Sequence, residues 1–376
     1  MTHREATINR MENMTDERLL STLDHLQADG LISADPGIVR MLAGHQYDIE
    51  TGPNVFALPA LVVASRDQGT VLVCSADEAE DSETTITYEG FTVTPIRRIA
   101  NARRSVESAI ERTAGAGARW AVDGASVPAG AVPNVRSSTP ADGALAALTA
   151  IKSAEDIAAI ESAIAICGEG QSAAREATRE GATELEVWQH VREAMESHAC
   201  GRIPILADLV SGPRTADVGG PPSTARIETG GLVLVDLVPR VGGVWGDSCS
   251  TFVDGEPTDE QLRAHAAARA ALQRGLEMLR PGTRSGDVDA AVRAVMAEDG
   301  WEYPHHTGHG VGFAWHEEPR IVPENDTLLE PGMVVALEPG TYTSDWGLRV
   351  EQVAVVTDSE PRVLSGHSLA FDRAPA

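Results

Sequence analysis

Three strongly apolar segments in the second half of the chain each carry a single acidic residue. They read GGLVLVDLV, GMVVALEPG and GLRVEQVAVVT, and their acids are Asp236, Glu338 and Glu351. Runs rich in β-branched residues predict buried strands. A carboxylate inside such a strand is costly unless it is paired or binds a metal. Asp236 alone could face solvent by strand alternation. Three such strands, with Asp247 in WGDSCSTF close by, predict that the acids converge on one site.

A second pattern is the histidine-rich stretch HHTGHGVGFAWHEEP, residues 305–319, which holds four of the eleven histidines. Its glycines rule out an ordinary helix face. Carboxylate oxygens with a single imidazole suit Mn, Co, Fe or Zn, and an oxygen-rich set favours Mn. Four carboxylates are more than one divalent ion requires. The pattern therefore predicts two metal ions bridged by carboxylates and a hydroxide.

The first part of the chain alternates helical and strand patterns, which predicts a small α/β unit with an open, layered sheet. One helix is predicted over TDERLLSTLDHLQADG, with Thr15 as its cap, and another over NARRSVESAIERTAGAG. The predicted strands lie in ALPALVVAS, TVLVCS, TTITYEGFTV and RWAVDG. A stretch rich in Pro, Ser and Gly, residues 128–143, is typical of a linker. We therefore predict two domains, 1–148 and 149–376.

Four helices are predicted in the second domain, within residues 152–181, 183–201, 258–279 and 285–300. Ser153 with Asp156, and Thr183 with Glu186, have the spacing of capping boxes. Together with the apolar strands, these helices predict a mixed α/β (α+β) domain.

Composition limits the partners and the compartment. The chain has 56 acidic and 30 basic residues and a net charge of -26, and Lys152 is its only lysine. Such a surface repels nucleic acid and anionic membranes, and it resembles that of proteins from halophilic archaea. There is no membrane-length apolar run and no signal-peptide pattern at the start, which predicts a soluble, cytoplasmic protein. The four cysteines include no CxxC pair and are predicted to be free thiols.

The order and spacing of five residues resemble the pita-bread metallopeptidases, the group that includes aminopeptidase P, prolidase and creatinase. The residues are Asp236, Asp247, His309 in HHTGHGVG, Glu338 in LEPGTY and Glu351 in LRVEQ. The resemblance covers residues 151–360, and ERLLSTLDHLQADGLISADPGIVRMLAG resembles the creatinase-type N-terminal domain. Methionine aminopeptidases lack that domain and are disfavoured. The resemblance implies a creatinase-like α/β domain followed by a pita-bread catalytic domain, and a homodimer.

The resemblance also implies roles for individual residues. Asp236 would bind one metal, His309 the other, and Asp247 and Glu351 would bridge both. Glu338 would be a ligand and the general base for a bridging hydroxide. His305 and His316 would hold the substrate and stabilise the oxyanion, and Arg349 would orient the site. His306 has no role in the family pattern, and a position outside the ligand set is expected for it.

Several positions depart from the family pattern. The segment SGPRTADVGGPPS places Gly219 where prolyl-specific members carry a histidine that contacts the scissile region of the substrate. Cys249 and Ser250 replace a threonine and an arginine after the second metal aspartate, and Gln352 follows the last ligand. All five metal ligands are present, while the residues expected around the substrate have changed.

Three functions remain open at this point. The first is an Xaa-Pro dipeptidase or Xaa-Pro aminopeptidase acting on small peptides. The second is a hydrolase of a non-peptide amide on the same fold, resembling creatinase or an ectoine hydrolase. The third is a non-catalytic binding module, which the complete ligand set disfavours.

Overall fold

The computed structural model describes residues 17–46, 57–79, 82–115, 117–135 and 142–372. The chain divides into two compact units, Met1–Thr149 and Ala150–Ala376. The predicted helix cap at Thr15 lies outside the described residues. Within the described ranges, no helix is both long enough and apolar enough to cross a bilayer.

The first unit contains a mixed five-stranded sheet in the order β4-β3-β2-β1-β5. Neighbouring strands are antiparallel except for the parallel pairs β3–β4 and β1–β5. The strands are β1 (Gly30–Ser33), β2 (Leu61–Ser65), β3 (Gly69–Ser75), β4 (Thr85–Tyr88) and β5 (Trp120–Val122). The helices are α1 (17–25), α2 (Pro36–Ala43), α3 (Pro95–Arg112) and α4 (Asp142–Ala150). All four predicted strands are present, and β1, α2 and α4 are additional.

The sheet of the first unit has a hydrophobic core on each face, because successive strand side chains point to opposite sides. Leu31 faces a core that includes Leu23 of α1 and Ile38 of α2. Its neighbour Ile32 faces the core formed with Val106 of α3. Helix α3 begins at Pro95 after the Thr94 cap, earlier than the predicted helix, since proline suits the first helical turn.

The second unit contains two helix pairs and three sheets. The helices are α5 (Ala154–Ala177), α6 (Glu184–His198), α7 (Asp259–Met278) and α8 (Ser285–Glu298). Both predicted capping boxes, at Ser153 and at Thr183, are formed. Helices α5 and α6 pack on the sheet of strands β6 to β9. Helices α7 and α8 pack on the sheet that contains β10, β12 and β15.

The strands of the second unit are paired antiparallel. The first sheet contains β6 (Ile205–Ser211), β7 (Leu232–Val241), β8 (Val244–Trp245) and β9 (Ser248–Val253), with β7 paired to the other three. The second sheet has the order β11-β10-β12-β15-β16. Its strands are β10 (Gly308–Gly310), β11 (Glu317–Ile321), β12 (Val334–Leu337), β15 (Gln352–Val355) and β16 (Arg362–Val363). A hairpin of β13 (Gly340–Tyr342) and β14 (Gly347–Arg349) completes the unit.

The third apolar segment is two strands and not the single strand predicted from the sequence. Strand β14 belongs to the hairpin and β15 to the five-stranded sheet. Between them, Val350 N–H donates to Pro339 O at 3.2 Å and Glu351 N–H donates to Cys249 O at 2.9 Å. These two hydrogen bonds hold the backbone between the hairpin and the five-stranded sheet. Glu351 therefore lies where the chain crosses from one sheet to the other.

Candidate metal centre and active site

Asp236 lies in the middle of β7, where it pairs with Asp208 of β6 on one side and Cys249 of β9 on the other. Its Oδ2 accepts a hydrogen bond from Arg349 Nη2 at 2.7 Å. Its Oδ1 is buried and has no hydrogen-bond partner. Burial raises the pKa of Asp236 to about 6, although the charge of Arg349 opposes the rise. An unsatisfied buried oxygen is costly, so this atom is poised to bind a cation.

Asp247 lies in the turn between β8 and β9 and is buried. The preceding Gly246 lies against the backbone of Ala163 in α5, where a Cβ would meet the Ala163 carbonyl carbon at 2.7 Å. This close approach explains the glycine before the acid. Burial and the neighbouring Asp236 raise the pKa of Asp247 well above its ordinary value.

Glu351 faces the same point from the crossing between β14 and β15, with 1% of its surface exposed. Its Oε1 is a second buried oxygen without a hydrogen-bond partner. Burial raises its pKa well above the ordinary value, and the charge of Asp247 adds to the rise. One oxygen each from Asp236, Asp247 and Glu351 lie within 4.8 Å of one another. Three carboxylates this close repel one another unless protons or cations lie between them.

His309 is the imidazole nearest to these carboxylates. It lies in β10 between Gly308 and Gly310, which press so closely on the neighbouring strands that a Cβ would overlap their carbonyl groups. Its Nδ1 donates to Gly310 O at 2.9 Å, so Nε2 keeps its lone pair. Nε2 lies 3.6 Å from Asp247 Oδ2 and 3.4 Å from Glu338 Oε1. Burial lowers the pKa of His309 to about 4, so its imidazole is neutral near pH 7 and could bind a cation.

Glu338 follows β12 directly, and its N–H donates to Thr307 O at 2.9 Å. Burial acts to raise its pKa. The hydrogen bond from His306 and the charge of Arg349 outweigh burial and hold the pKa of Glu338 below its ordinary range. Glu338 therefore stays ionised, whereas the neighbouring acids Asp236, Asp247 and Glu351 have raised pKa values.

All five predicted ligands are thus brought together. They consist of hard carboxylate oxygens and one neutral imidazole, and two of the oxygens are buried without a partner. This donor set fits divalent cations. The residues present therefore agree with a metal centre on the chemistry of the site alone.

Arg349 connects the carboxylates to the opposite wall of the site. Besides Asp236, its guanidinium donates to Tyr342 Oη at 2.9 Å and to Val218 O at 2.7 Å, both through Nη1. Its side chain is 4% exposed, so these bonds hold it in one orientation. The predicted orienting arginine lies where it can act on Asp236.

His305 and His316 lie on the other side of the site. His305 Nδ1 donates to His306 O at 2.7 Å, so its Nε2 accepts from Tyr342 Oη at 3.0 Å. The ring centroid of His316 lies 3.9 Å from that of His309, and Trp315 stacks on its other face at 4.2 Å. Burial lowers the pKa of His305 to about 4 and that of His316 to about 3, so both are neutral near pH 7.

His306 contributes more than sequence reasoning assigned to it. Its Nδ1 accepts from Arg320 Nη2 at 2.9 Å, so its Nε2 carries the hydrogen that it donates to Glu338 Oε1 at 2.7 Å. His306 is outside the carboxylate group and contacts it through Glu338. The density of histidines in residues 305–316 was the only sequence signal for this contact.

Lys152 and Glu317 form a buried ion pair beneath the histidine segment. Lys152 Nζ lies 2.7 Å from Glu317 Oε1 and donates to Ala150 O at 3.0 Å. The side chains are 0% and 7% exposed. Burial raises the pKa of Glu317, and Lys152 opposes the rise. The ion pair fixes the residue next to His316, and sequence reasoning did not find it.

A cavity of about 540 Å³ opens onto the five predicted ligands. Its wall also contains residues that the sequence did not indicate, among them Leu206 and Asp208 of β6, and Trp315. Gly219, where the family pattern has a histidine, lies against Asp208, and a Cβ there would overlap the Asp208 carboxylate. An acidic side chain therefore stands in front of the position that the imidazole would occupy.

Comparison with known proteins agrees with the geometry. Residues 158–358 match the family described as metallopeptidase family M24. The probable dipeptidase PepE of Mycobacterium tuberculosis is 36% identical over 182 residues, which are 47% of this chain and 48% of that protein. An Xaa-Pro dipeptidase of Pyrococcus furiosus is 32% identical over 235 residues, 62% of this chain and 68% of that protein. The chain thus spans about half the length of the mycobacterial relative.

The fold match extends over nearly the whole chain. The solved prolidase from Pyrococcus horikoshii has a TM-score of 0.79, with 23% identity, and covers 95% of this chain and 99% of that one. A methionine aminopeptidase from Rickettsia prowazekii covers only 57% of this chain, with a TM-score of 0.51. The predicted pita-bread fold class is confirmed.

Proposed function

Because the chain belongs to metallopeptidase family M24, we propose that it is a hydrolase of amide bonds that uses two divalent metal ions. We infer an Xaa-Pro dipeptidase or Xaa-Pro aminopeptidase activity on small peptides. The observation that carries this proposal is the buried carboxylate group with its unpartnered oxygens, Asp236 Oδ1 and Glu351 Oε1, beside the neutral His309. Family membership implies divalent metal ions, and manganese is our choice among them because oxygen donors dominate.

The ligand roles follow the chemistry of each residue. Asp236 and His309 would hold the two ions separately, and Asp247 and Glu351 would be shared between them. Glu338 would complete the set. When bound, such ions lower the pKa of water and polarise a carbonyl oxygen. The protein's part is to hold these donors in a fixed arrangement, which the bonds of Arg349 and His306 support.

Glu338 is the proposed general base. Its carboxylate is ionised and lies beside the other acids, so it can take the proton of the attacking water and pass it to the leaving nitrogen. His306 donates to Glu338 Oε1, which leaves Oε2 as the oxygen that faces Arg349 Nε at 3.5 Å. The Glu338 carboxylate that takes the proton is therefore held by His306 at Oε1 and by Arg349 at Oε2.

The two outer histidines have different proposed tasks. Both nitrogens of His305 are engaged, one as donor to His306 O and one as acceptor from Tyr342. We therefore assign it to shaping the wall that orients the substrate. His316, supported by Trp315, is the proposed hydrogen-bond donor to the oxyanion that forms at the attacked carbonyl.

A second candidate function is hydrolysis of a non-peptide amide, as in a creatinase-like or ectoine-hydrolase-like enzyme. Gly219 and Asp208 favour it, because they alter the place where prolyl-specific members carry a histidine. A non-catalytic binding module is disfavoured by the retention of all five ligands. Homodimer formation, a cytoplasmic location and adaptation to salt remain predictions from the sequence.

The proposal is tested by purifying the protein in molar salt, loading it with Mn²⁺ and measuring metal content and hydrolysis. The substrate panel contains Xaa-Pro dipeptides, longer Xaa-Pro peptides and ectoine. We expect two ions per chain and release of proline or of the first residue. Cleavage of ectoine alone would favour the second function. Metal-loaded protein that cleaves no member of the panel would overturn both.

A matched variant tests the base. Glu338→Gln removes the proton acceptor while keeping the size of the side chain, and it is expected to reduce kcat by about 10²–10⁴-fold. Glu330→Gln, at an exposed position in the same unit, is the control and should keep the wild-type rate.

A further inference from the structure

Asp208 is the one carboxylate of the cavity wall that has no place among the five ligands. It lies in β6 directly opposite Asp236. Its side chain is 37% exposed, whereas that of Asp236 is 15% exposed. It therefore faces the cavity, where a substrate can reach it, and not the buried group of metal ligands.

The charge of Asp208 is not neutralised by a hydrogen bond from the nearby guanidinium. Arg349 Nη2 lies 3.8 Å from Asp208 Oδ2, and the same nitrogen lies 2.7 Å from Asp236 Oδ2. The other terminal nitrogen of Arg349 donates to Tyr342 Oη and Val218 O. The guanidinium thus gives its hydrogen bonds to other acceptors, and its ion pair with Asp208 at 3.8 Å is the longer of the two that Nη2 makes, so the Asp208 carboxylate keeps oxygens open to the cavity.

The Asp208 carboxylate occupies the space that a side chain at position 219 would need. The position cannot carry a Cβ while the Asp208 carboxylate lies where it does. A side chain at 219 would have to displace the Asp208 carboxylate from its present position. The cavity consequently offers an acceptor-only anion in place of an imidazole, which can also donate.

Apolar surface lies beside this carboxylate. Leu206 is two residues before Asp208 in β6, so both side chains are on the same face of the strand. Leu206 is 45% exposed and Trp315 is 47% exposed, and both line the cavity. An aliphatic chain can cover such surfaces while its polar end reaches a carboxylate.

We propose that Asp208 is a specificity-determining residue that selects substrates whose residue Xaa has an aliphatic stem and a terminal cation, as in lysine. The stem lies on Leu206 and Trp315, and the ammonium pairs with the Asp208 carboxylate. This inference rests on the proposed Xaa-Pro activity for its kinetic arm only.

The kinetic arm compares lysyl-proline with norleucyl-proline, which differ only in the terminal ammonium. We expect the wild type to favour lysyl-proline by about three- to fivefold in kcat/KM, which is the discrimination that a partly exposed ion pair supplies. Asp208→Asn should reduce this ratio to about one, and Asp208→Glu should retain most of it. The control is Asp217→Asn, which removes an equal charge from an exposed position outside the cavity wall.

The binding arm measures the affinity of lysine and norleucine for the metal-loaded protein by calorimetry, with no hydrolysis involved. Lysine should bind more tightly to the wild type and to Asp208→Glu, and equally with norleucine to Asp208→Asn. A wild type that cleaves neither dipeptide but shows this preference for lysine would refute the Xaa-Pro function and support the role of Asp208. Equal ratios in the wild type and in Asp208→Asn, in both arms, would overturn the role of Asp208 whatever the enzyme cleaves.

Discussion

The two halves of the site satisfy their polar atoms in different ways. On the carboxylate half, Asp236, Asp247 and Glu351 crowd together, and two of their oxygens are buried without a partner. On the histidine half, residues 305–316, the rings of His305, His306 and His309 hydrogen-bond to neighbouring protein groups. The unpartnered oxygens of the carboxylate half need cations, whereas on the histidine half these hydrogen bonds already orient the three rings and leave only His309 Nε2 for a cation.

This difference teaches which part of the site depends on metal. Buried carboxylates that repel one another shift toward their protonated forms, and their pKa values are raised for that reason. Buried imidazoles become neutral instead, and their pKa values are lowered. Opposite pKa shifts within one cavity predict opposite responses to mutation, to pH and to chelation.

The largest expected contrast comes from one substitution in each half. Asp247→Ala removes a shared ligand and is expected to empty at least one metal position and to reduce activity by at least about 10³-fold. His316→Ala should retain both metals and lower kcat by about 10²-fold, because it removes one donor to the oxyanion. Metal content by mass spectrometry of the native protein, together with kcat, separates the two outcomes.

Glu330→Ala, at an exposed position, is the control for loss of an acidic side chain. If Asp247→Ala kept two metals, the ligand assignment would be wrong. If His316→Ala lost metal, the histidine half would not be independent of it.

A smaller contrast is expected in stability against pH. The raised pKa values mean that the metal-free native state holds more protons on Asp236, Asp247 and Glu351 than the unfolded chain does. These three groups stabilise the metal-free native state at low pH. That stabilisation, on the order of 2 kcal/mol, is lost as the pH rises from about 4 through 6 and above. The lowered histidine pKa values make the stability of the native state rise with pH, but only below about pH 6.5.

Thermal unfolding should therefore be followed from about pH 6.5 to 8.5, with chelator and with Mn²⁺. The Tm of the chelated protein is expected to fall as the pH rises, while the loaded protein is protected, so that the gain from metal grows with pH. If the rise in Tm caused by Mn²⁺ became smaller as the pH rises over this range, the raised pKa values assigned to the carboxylate half would be contradicted.

The smallest expected effect concerns the hydrogen bond by which His306 of the histidine half contacts Glu338. His306→Phe removes the hydrogen bond to Glu338 and is expected to reduce kcat/KM by about tenfold with metal retained. The loss of that bond raises the pKa of Glu338, so the acid limb of the pH–rate profile should move to higher pH. His198→Phe, an exposed position in α6, is the control. An unchanged acid limb would show that His306 does not act on Glu338.

Local signals accounted for much of what could be predicted. The capping boxes at Ser153 and Thr183 lie within four residues each, and both helices begin where expected. The convergence of the four acids was also predicted, because a buried carboxylate in an apolar strand has few alternatives. His309 was added to them by the family resemblance. Family resemblance supplied the pita-bread fold, and the fold match confirms it.

Features that depend on distant contacts were missed. The break at Glu351 is made by the carbonyls of Pro339 and Cys249, which the sequence places 12 and 102 positions away. Asp208 meets Asp236 only through the register of β6 and β7. The short segment ILADLVS has one acid and little else to mark it. No local pattern reports such pairings.

The pairing of Lys152 with Glu317 has a practical consequence for chemical labelling. Acylating reagents need an accessible, unprotonated amine, and the only lysine of the chain has a fully buried side chain held by an acid. It can react only when its pair with Glu317 opens. The rate of acyl uptake at this one position would therefore report how often the structure opens next to His316, without any probe being engineered into the protein.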